Sequence, residues 1–256
     1  MAETDTSEAL IEKVERASLA AWPGLTVEPY DGWVLRFADG YTKRANSVNV
    51  LSRGNLPLEH KIEHCEQAFR ARGMPPIFRI SPLGDARELD AFLDGLEYQK
   101  IDDTQVQYLD LSSRPVGDVQ NACREVTLKD WIELFHMCQP ISESRRSTHT
   151  TILSAIEGQL LPYTVAEDQN VASCGLGVLA GDLVGLFDMV THEVFRRRGY
   201  GRTVAAAILN RARAKCATGA YLQVLDSNKP AVRLYEELGF DTLYRYWYRV
   251  PANWGD

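Results

Sequence analysis

The sequence predicts an α/β fold built from two tandem units of similar plan. Segments with strand-like and helix-like patterns alternate along the 256 residues. The order strand, turn, helix, strand, helix, strand also occurs twice. Sliding the chain by 142 positions superposes Leu96 on Leu238, Tyr98 on Phe240, Phe92 on Leu234 and Asn49 on Thr191. A repeat of this length predicts an internal duplication.

The elements follow from residue patterns. Apolar residues at helical spacing predict helices, and β-rich runs bounded by Gly and Pro predict strands. In the first unit we expect helices at 7–22, 58–72 and 86–96, with strands at 32–40, 41–51, 76–81 and 101–111. In the second unit we expect strands at 123–128, 162–167, 171–180, 182–190, 220–225 and 242–250, with helices at 129–139, after the polar segment 140–152, at 204–216 and at 228–239.

The boundary between the units falls in a stretch rich in Ser, Pro and Gly. This composition is typical of a linker. We therefore expect a first domain at 1–111, a linker at 112–120 and a second domain at 121–256.

Composition narrows the function classes. A net charge of -7 argues against general nucleic-acid binding, because nucleic acids bind basic surfaces. An acidic surface is compatible with a cationic amine as a partner. The five cysteines are scattered and never form C-x-x-C, so they indicate reduced cytosolic thiols rather than a disulfide frame or a zinc site. No apolar run is long enough to span a bilayer, and the N-terminus is acidic where a signal peptide is basic. The sequence therefore predicts a cytoplasmic protein without a membrane segment.

A glycine and arginine turn opens the helix predicted at 204–216. Its spacing is Arg196-x-x-Gly199-x-Gly201, and it follows an apolar strand. The first amides of a helix lack intrahelical partners and carry partial positive charge, so such a turn predicts an anion site. The spacing matches neither the Walker loop nor the dinucleotide fingerprint. The alternative is a basic surface turn that only caps a helix.

A second motif lies downstream of the strand at 220–225. Asn228 suits a helix N-cap, Pro230 suits the first turn, and Gly239 suits the residue that ends the helix. Together the two motifs, N-x-x-A-x-x-L-Y-x-x-L-G-F following R-x-x-G-x-G, resemble the GNAT superfamily of acetyl-CoA-dependent N-acetyltransferases over residues 121–250. The resemblance implies a mixed, mostly antiparallel central sheet flanked by helices, with acetyl-CoA as co-substrate.

The resemblance also implies a site. Acetyl-CoA is expected in the gap where the strand ending at Thr191 splays from the strand beginning at Ala220. The expected contacts with acetyl-CoA are Met189, Val190, Thr191, Arg196, Arg197, Arg198, Gly199, Tyr200, Gly201, Arg202, Asn228 and Lys229. The alternative for Asn228 is a plain N-cap, and both roles are compatible.

Two residues are expected to be catalytic. Tyr235 matches the tyrosine that protonates the departing thiolate, and its alternative is a core aromatic residue. Asp188 is the candidate general base, although strand alternation leaves its direction open. The other candidate bases are His192, Glu193 and Glu167. Candidates for contact with the acceptor are Glu143, Arg145, Arg146 and His149, with a solvated helix face as the alternative.

The first unit lacks this chemistry. In the repeat register Gly199 falls on Pro57 and Gly201 falls on Glu59. Proline has no amide to donate, and a glutamate repels phosphate, so we expect the first unit to complete the fold or shape the acceptor cleft without holding coenzyme A. His60 and His64 match an H-x-x-E-H zinc motif, but without a third ligand an exposed helix face is the preferred interpretation, and no metal is expected.

The resemblance implies an N-acetyltransferase that moves an acetyl group from acetyl-CoA to a primary amine by direct attack in a ternary complex. The expected acceptor is a small molecule or a peptide. The alternative is a non-catalytic protein that binds or senses acyl-CoA. Internal duplication favours a monomer over a dimer, because the chain already supplies its second unit.

Overall fold

The computed structural model describes residues 2–113 and 123–254. Its helices are α1 (Ala2–Ala21), α2 (Leu58–Arg70), α3 (Ala86–Gly95), α4 (Leu128–Cys138), α5 (Glu143–Ser154), α6 (Tyr200–Ala214) and α7 (Lys229–Glu237). Its strands are β1 (Thr26–Tyr30), β2 (Trp33–Phe37), β3 (Val48–Val50), β4 (Phe78–Ile80), β5 (Gln99–Asp110), β6 (Cys123–Glu125), β7 (Gln159–Glu167), β8 (Asn170–Ala180), β9 (Leu183–Thr191), β10 (Gly219–Leu225) and β11 (Asp241–Val250). Most of the expected linker, 114–120, lies outside the described residues, and the domain boundaries stay a prediction. Within the described ranges, no helix has the length and apolar character needed to cross a membrane.

All described strands join one sheet of eleven, in the order β1-β2-β3-β4-β11-β5-β10-β9-β8-β7-β6. The pairs β3–β4 and β9–β10 are parallel, whereas the other neighbours are antiparallel. This confirms the predicted mixed, mostly antiparallel α/β architecture.

The last strands of the two units change places in the middle of the sheet. Strand β11 lies between β4 and β5, and β5 lies between β11 and β10. The sheet therefore runs without interruption from one unit to the other.

The repeat is visible in the element positions. Helix α6 begins 142 positions after α2, and β11 begins 142 positions after β5. The superposition of Asn49 on Thr191 is wrong, however. Asn49 pairs with Arg79, while Tyr221, the counterpart of Arg79, pairs with Gly185. Asn49 therefore corresponds to Gly185 rather than to Thr191, a difference of six positions. The segment from this position to the start of the next helix is six residues longer in the second unit than in the first.

Two features of the first unit differ from the sequence prediction. Strand β1 was not expected, and the expected strand at 41–51 contains a 3-10 turn (Lys43–Ala45) before β3 begins. The side chain of Asn46 causes this difference. Its Oδ1 accepts hydrogen bonds from the amides of Ala38 (2.6 Å) and Gly40 (3.0 Å), which close a compact loop instead of a hairpin.

Packing divides the helices between the faces of the sheet. Helices α2 and α3 bury their apolar faces on β2, β3 and β4, and α6 and α7 do the same on β8, β9 and β10. Helix α1 lies on the opposite face, where its Val14 and the adjoining Trp22 enter a core with Phe187 of β9 and Tyr246 of β11. That shared core brings the first unit up to the strand that carries the expected chemistry.

Candidate active site

The strands β9 and β10 pair only at their first residues. Their parallel register ends at Leu186 and Leu222, although β9 continues to Thr191 and β10 to Leu225. The β9 residues up to Phe187 are buried, and those from Asp188 onward are half-buried. The backbone of β9 on the β10 side is thus open over its last residues, as the sequence prediction requires.

A β-bulge redirects β9 where the gap begins. The β8–β9 register shifts between the pairs Cys174/Val190 and Leu176/Phe187, and Asp188 has a φ of +46°. A left-handed conformation is uncommon outside glycine, but aspartate tolerates it better than most residues. The bulge resolves the direction that strand alternation left open, because Asp188 lines a cleft between the two units.

Asp188 contacts one histidine directly, and that histidine contacts a second one. Its Oδ2 lies 2.9 Å from His149 Nε2, and His149 Nδ1 lies 3.2 Å from His136 Nε2. His136 Nδ1 is buried without a partner among the described residues. This geometry lets His136 Nε2–H donate to His149 Nδ1 while His149 Nε2–H donates to Asp188. Burial, reinforced by His149, lowers the pKa of His136 to about 4, so this chain of hydrogen bonds starts from a neutral ring.

The cleft in front of Asp188 has a volume of about 560 Å³ and is built from both units. Its wall includes Trp22, Tyr41, Arg44, Arg145, Tyr246 and Trp254. Tyr41 stacks on His149 with ring centroids 5.2 Å apart. Burial, reinforced by the Asp188 carboxylate, raises the pKa of Tyr41, so its hydroxyl stays protonated as a donor.

The glycine and arginine turn opens α6 as expected. Gly199 is the N-cap residue in a left-handed conformation (φ +81°), and no side chain among the described residues caps the helix. In the described part of the chain, the amides of Tyr200, Gly201 and Arg202 have no acceptor. A Cβ on Gly201 would lie 3.3 Å from Thr191 Oγ1, so the helix N-terminus reaches the end of β9 directly. These free amides beside the open strand suit an anion.

The basic residues around this turn are exposed and engaged with the protein itself. Arg196 donates to the carbonyl of Thr191 (3.4 Å), and Arg197 adopts a φ of +61°. The remaining ion pairs are Arg198 with Glu167 (3.0 Å), Arg202 with Glu237 (3.3 Å) and Lys229 with Asp226 (2.7 Å). Exposed pairs of this kind contribute about 0–1 kcal/mol, so a phosphate can replace the carboxylate at little cost.

The second motif forms α7. Asn228 Oδ1 accepts from the amide of Ala231 (3.3 Å), so the plain N-cap role is present. Tyr235 is buried with Phe240, and burial raises the pKa of its hydroxyl. That hydroxyl makes no hydrogen bond to the described residues, and a protonated, unengaged hydroxyl fits both an acid and a core aromatic residue.

The corresponding turn of the first unit is filled by the chain itself. Pro57 is the N-cap residue of α2, matching Gly199 of α6. The carboxylate of Asp31 accepts from the amides of Asn55 (2.9 Å) and Leu56 (2.8 Å), as a bound anion would. The fully buried Lys61 lies 3.3 Å from the same carboxylate. These contacts give the physical reason to expect no coenzyme A there.

The other sequence candidates separate clearly. Arg145 lines the cleft and donates to the carbonyl of Tyr41 (2.8 Å), and His149 supports Asp188. Glu143 is exposed outside the set of cleft residues, and Arg146 faces a separate cavity.

The other candidate bases lie outside the cleft wall. Glu167 is paired with Arg198, while Glu193 is exposed and His192 follows the end of β9. Of the two histidines in the H-x-x-E-H motif, His64 stacks on Tyr30 with ring centroids 3.7 Å apart.

Sequence reasoning missed His136 and Tyr41. His136 sits among apolar residues on an amphipathic helix, where a histidine gives no local signal. Tyr41 belongs to the first unit, and only the packing of α5 against that unit brings it to His149.

Comparisons with known proteins agree with this architecture. A family model described as "Probable histone acetyltransferase Rv0428c C-terminal" matches residues 6–249. An uncharacterized N-acetyltransferase of Bacillus subtilis, YobR, is 27% identical over 94% of this chain and 98% of its own. The [Ribosomal protein bS18]-alanine N-acetyltransferase of Haemophilus ducreyi is 25% identical over 40% of this chain and 71% of its own.

Solved structures show the same fold at low identity. A GCN5-related N-acetyltransferase from Kribbella flavida has a TM-score of 0.71 at 13% identity, covering 94% of this chain and 95% of the other. A tandem GNAT protein from the clavulanic acid biosynthesis pathway has a TM-score of 0.60 at 16% identity, covering 77% and 70%. The fold is therefore that of tandem GNAT proteins. Because the family model spans most of the sequence, the chain belongs to the Rv0428c C-terminal acetyltransferase family, within the GNAT superfamily of N-acetyltransferases.

Proposed function

We propose that this protein transfers an acetyl group from acetyl-CoA to the primary amine of a small molecule or peptide by direct attack. The observation that carries the proposal is the opening between β9 and β10. The N-terminus of α6 borders this opening. Asp188 of β9 and Gln223 and Leu225 of β10 line the cleft beside it. A donor and an acceptor can therefore approach each other from opposite sides of the sheet.

The chain has groups suited to the donor. The free amides at the start of α6 would hold a diphosphate, and the open backbone of Met189, Val190 and Thr191 would pair with an extended amide-bearing arm. Ser173 Oγ already donates to the Val190 carbonyl (2.7 Å), which orients that peptide group. When bound, acetyl-CoA supplies an acyl group activated as a thioester.

The chain also has groups that hold and move protons. Asp188 Oδ atoms face the cleft and would take a proton from the amine, while His149 keeps the carboxylate in place. Tyr235 holds a proton at its Oη that would be given to the departing sulfur. Trp22 and Tyr41 would exclude water from the amine side.

A binding experiment tests the donor site. Calorimetric titration with acetyl-CoA is expected to show one site per chain. Gly199→Glu should abolish binding by placing a negative charge at the anion site. Gly199→Gln carries the same backbone strain without the charge and should retain most of the affinity for acetyl-CoA. Pro57→Glu is the matched control at the N-cap of α2, and it should leave binding unchanged. Two sites per chain would contradict the account of Asp31.

A rate experiment tests the chemistry. Thiol release from acetyl-CoA is followed with a panel of primary amines for wild type and Tyr235→Phe. We expect a loss of about 10²–10³ in kcat for the variant, since it lacks the acid. Equal rates would remove Tyr235 from that role. Binding of acetyl-CoA without a rate on any amine would favour an acyl-CoA sensor instead.

A further inference from the structure

The charges on the wall of the acceptor cleft are unevenly paired. Lys43 forms an ion pair with Asp102 (2.9 Å), and Arg145 donates to the carbonyl of Tyr41 (2.8 Å). Asp188 is bonded to His149. Arg44 is the exception, because its guanidinium makes neither an ion pair nor a hydrogen bond with any residue that the structure describes.

Arg44 is not a loose surface side chain. It is half-buried, its Nε is inaccessible to water, and its guanidinium carbon lies 5.8 Å from the Trp22 ring centroid and 5.6 Å from that of Phe187. Its backbone carbonyl accepts from Arg36 Nη1 (2.9 Å), which fixes the 3-10 turn that carries it. Aromatic faces hold the charge in position without using its hydrogen-bond donors.

An arginine in this state is short of acceptors. A buried donor without a partner is unfavourable, and a guanidinium matches a carboxylate with two parallel hydrogen bonds. The nearby buried Arg36 adds to the local positive charge, and burial followed by the charge of Arg79 lowers the pKa of Arg36 to about 10. An anionic group on the ligand would relieve both the unpaired donors and the excess charge.

Arg44 and Asp188 belong to the wall of the same cleft. Phe187, whose ring Arg44 faces, directly precedes Asp188 in β9, and both Arg44 and Asp188 line the same cleft. A ligand with its amine at Asp188 therefore finds Arg44 within the same small volume of about 560 Å³. We propose that the acceptor is a small amine that also carries a carboxylate, and that Arg44 binds this carboxylate. This inference rests on the proposed transfer to an amine.

The test uses matched ligand pairs. Each pair is an amino acid with its amine and carboxylate at different separations, such as glycine, β-alanine or 4-aminobutyrate, and the corresponding carboxamide. Binding is measured by calorimetry in the presence of CoA, which cannot donate an acetyl group, and kcat/KM is measured with acetyl-CoA. For wild type, at least one carboxylate should bind about 10–100-fold more tightly than its amide. Arg44→Gln should abolish that difference by lowering the affinity for the carboxylate ligand alone. Arg44→Lys should keep part of the preference for the carboxylate.

Controls separate the possible failures. Arg87→Gln removes an exposed arginine of α3 and should preserve the preference. Acetyl-CoA affinity and circular dichroism of Arg44→Gln report whether the variant is folded. Equal affinity for both members of every pair, an equal loss for both in Arg44→Gln, or no binding of any amino carboxylate would overturn the inference. Selective binding without acetylation would instead leave Arg44 as the carboxylate site and refute the proposed function.

Discussion

At the scale of single residues, Asp188 shows where sequence reasoning stops. Its position on the expected strand could be read from the apolar run before it, but its direction depends on a bulge opposite Gly175. A bulge is set by the partner strand and by the helix packed above it, which no local pattern records. The sequence therefore placed Asp188 on this strand, whereas its partners His149 and His136 required the structure.

Replacing Asp188 by asparagine isolates its charge. Asparagine is also tolerated at positive φ, so the bulge should persist. We expect Asp188→Asn to lower kcat by about 10²–10⁴ because the proposed base is lost, with unchanged affinity for acetyl-CoA. Steady-state rates and calorimetry measure the two effects. A wild-type kcat in this variant would exclude Asp188 from proton transfer.

His136 should make the fold sensitive to acid. Its pKa is lowered from 6.5 to about 4, first by burial and then by His149 and Arg146, with Asp188 acting in the opposite direction. Between these two values the unfolded chain binds a proton that the native chain does not. The free energy of unfolding should therefore fall as the pH drops from 6.5 towards 4.

Comparison with His136→Gln isolates this dependence. Urea unfolding at several pH values should show a shallower fall between pH 6.5 and 4 in the variant, because glutamine does not titrate. Parallel curves for the two proteins would mean that His136 titrates normally in the fold.

At the scale of elements, two glycines of β8 let α6 approach the sheet. A Cβ on Gly175 would lie 2.4 Å from Met189 Sδ and 2.7 Å from Val204 Cγ1, and one on Gly177 would lie 2.4 Å from Ile208 Cγ2. Each alanine substitution should lower the free energy of unfolding by about 1–3 kcal/mol through overpacking. Only Gly175→Ala presses on the part of β9 that borders the gap, so it alone should weaken acetyl-CoA binding.

Gly177→Ala serves as the matched control for this prediction. It strains the same helix against the same strand, but one turn further from the N-terminus of α6. Thermal unfolding and calorimetry of both variants decide the matter. Equal loss of affinity in the two would show that general displacement of α6, not the gap, controls binding.

Elements that are defined by local interactions could be predicted from the sequence, and the others could not. Helix α7 begins and ends as its Asn, Pro and Gly residues indicate, because capping is a local interaction. Strand β1 contains Pro29 and, among the described strands, pairs only with β2; such an edge strand lacks the alternating apolar pattern of a central one. The 3-10 turn in the first unit depends on one side chain, Asn46, which sequence periodicity does not record.

At the scale of the whole molecule, a buried ion pair joins α1 to the sheet. Both oxygens of Glu15 accept from Arg79 (2.5 and 2.8 Å), and the two side chains are 1% and 2% exposed. The guanidinium carbon also lies 3.8 Å from the Tyr246 ring centroid. The pair therefore links α1, β4 and β11, which come from both ends of the chain.

Breaking this pair should be costly. Glu15→Gln leaves the buried charge of Arg79 uncompensated, and we expect a loss of about 3–5 kcal/mol in the free energy of unfolding. The double variant Glu15→Leu/Arg79→Met removes both charges and should recover most of that loss. Denaturant unfolding measures both. A double variant as unstable as Glu15→Gln would show that packing, rather than the charge, is what the pair provides.

The repeat could be read from the sequence, but the exchange of strands could not. The equal sequence separation between Leu58 and Tyr200 and between Gln99 and Asp241 indicates that the chain contains two units. They do not record which unit each last strand joins, because strand pairing is decided by contacts far apart in sequence. The cleft in front of Asp188 is a product of that exchange, since β11 and the first unit both line it.

This exchange predicts that the second unit does not fold alone. Strand β11 pairs only with β4 and β5, both from the first unit, and β10 loses β5 as well. A fragment of residues 121–256 would expose these edges together with the apolar core face that α1 covers. We expect it to aggregate or associate, and to regain acetyl-CoA binding when co-expressed with residues 1–113. Size-exclusion chromatography, thermal unfolding and calorimetry provide the measurement. A monomeric fragment that unfolds cooperatively and binds acetyl-CoA would mean that β10 and β11 can pair with each other, and that the first unit serves the acceptor cleft alone.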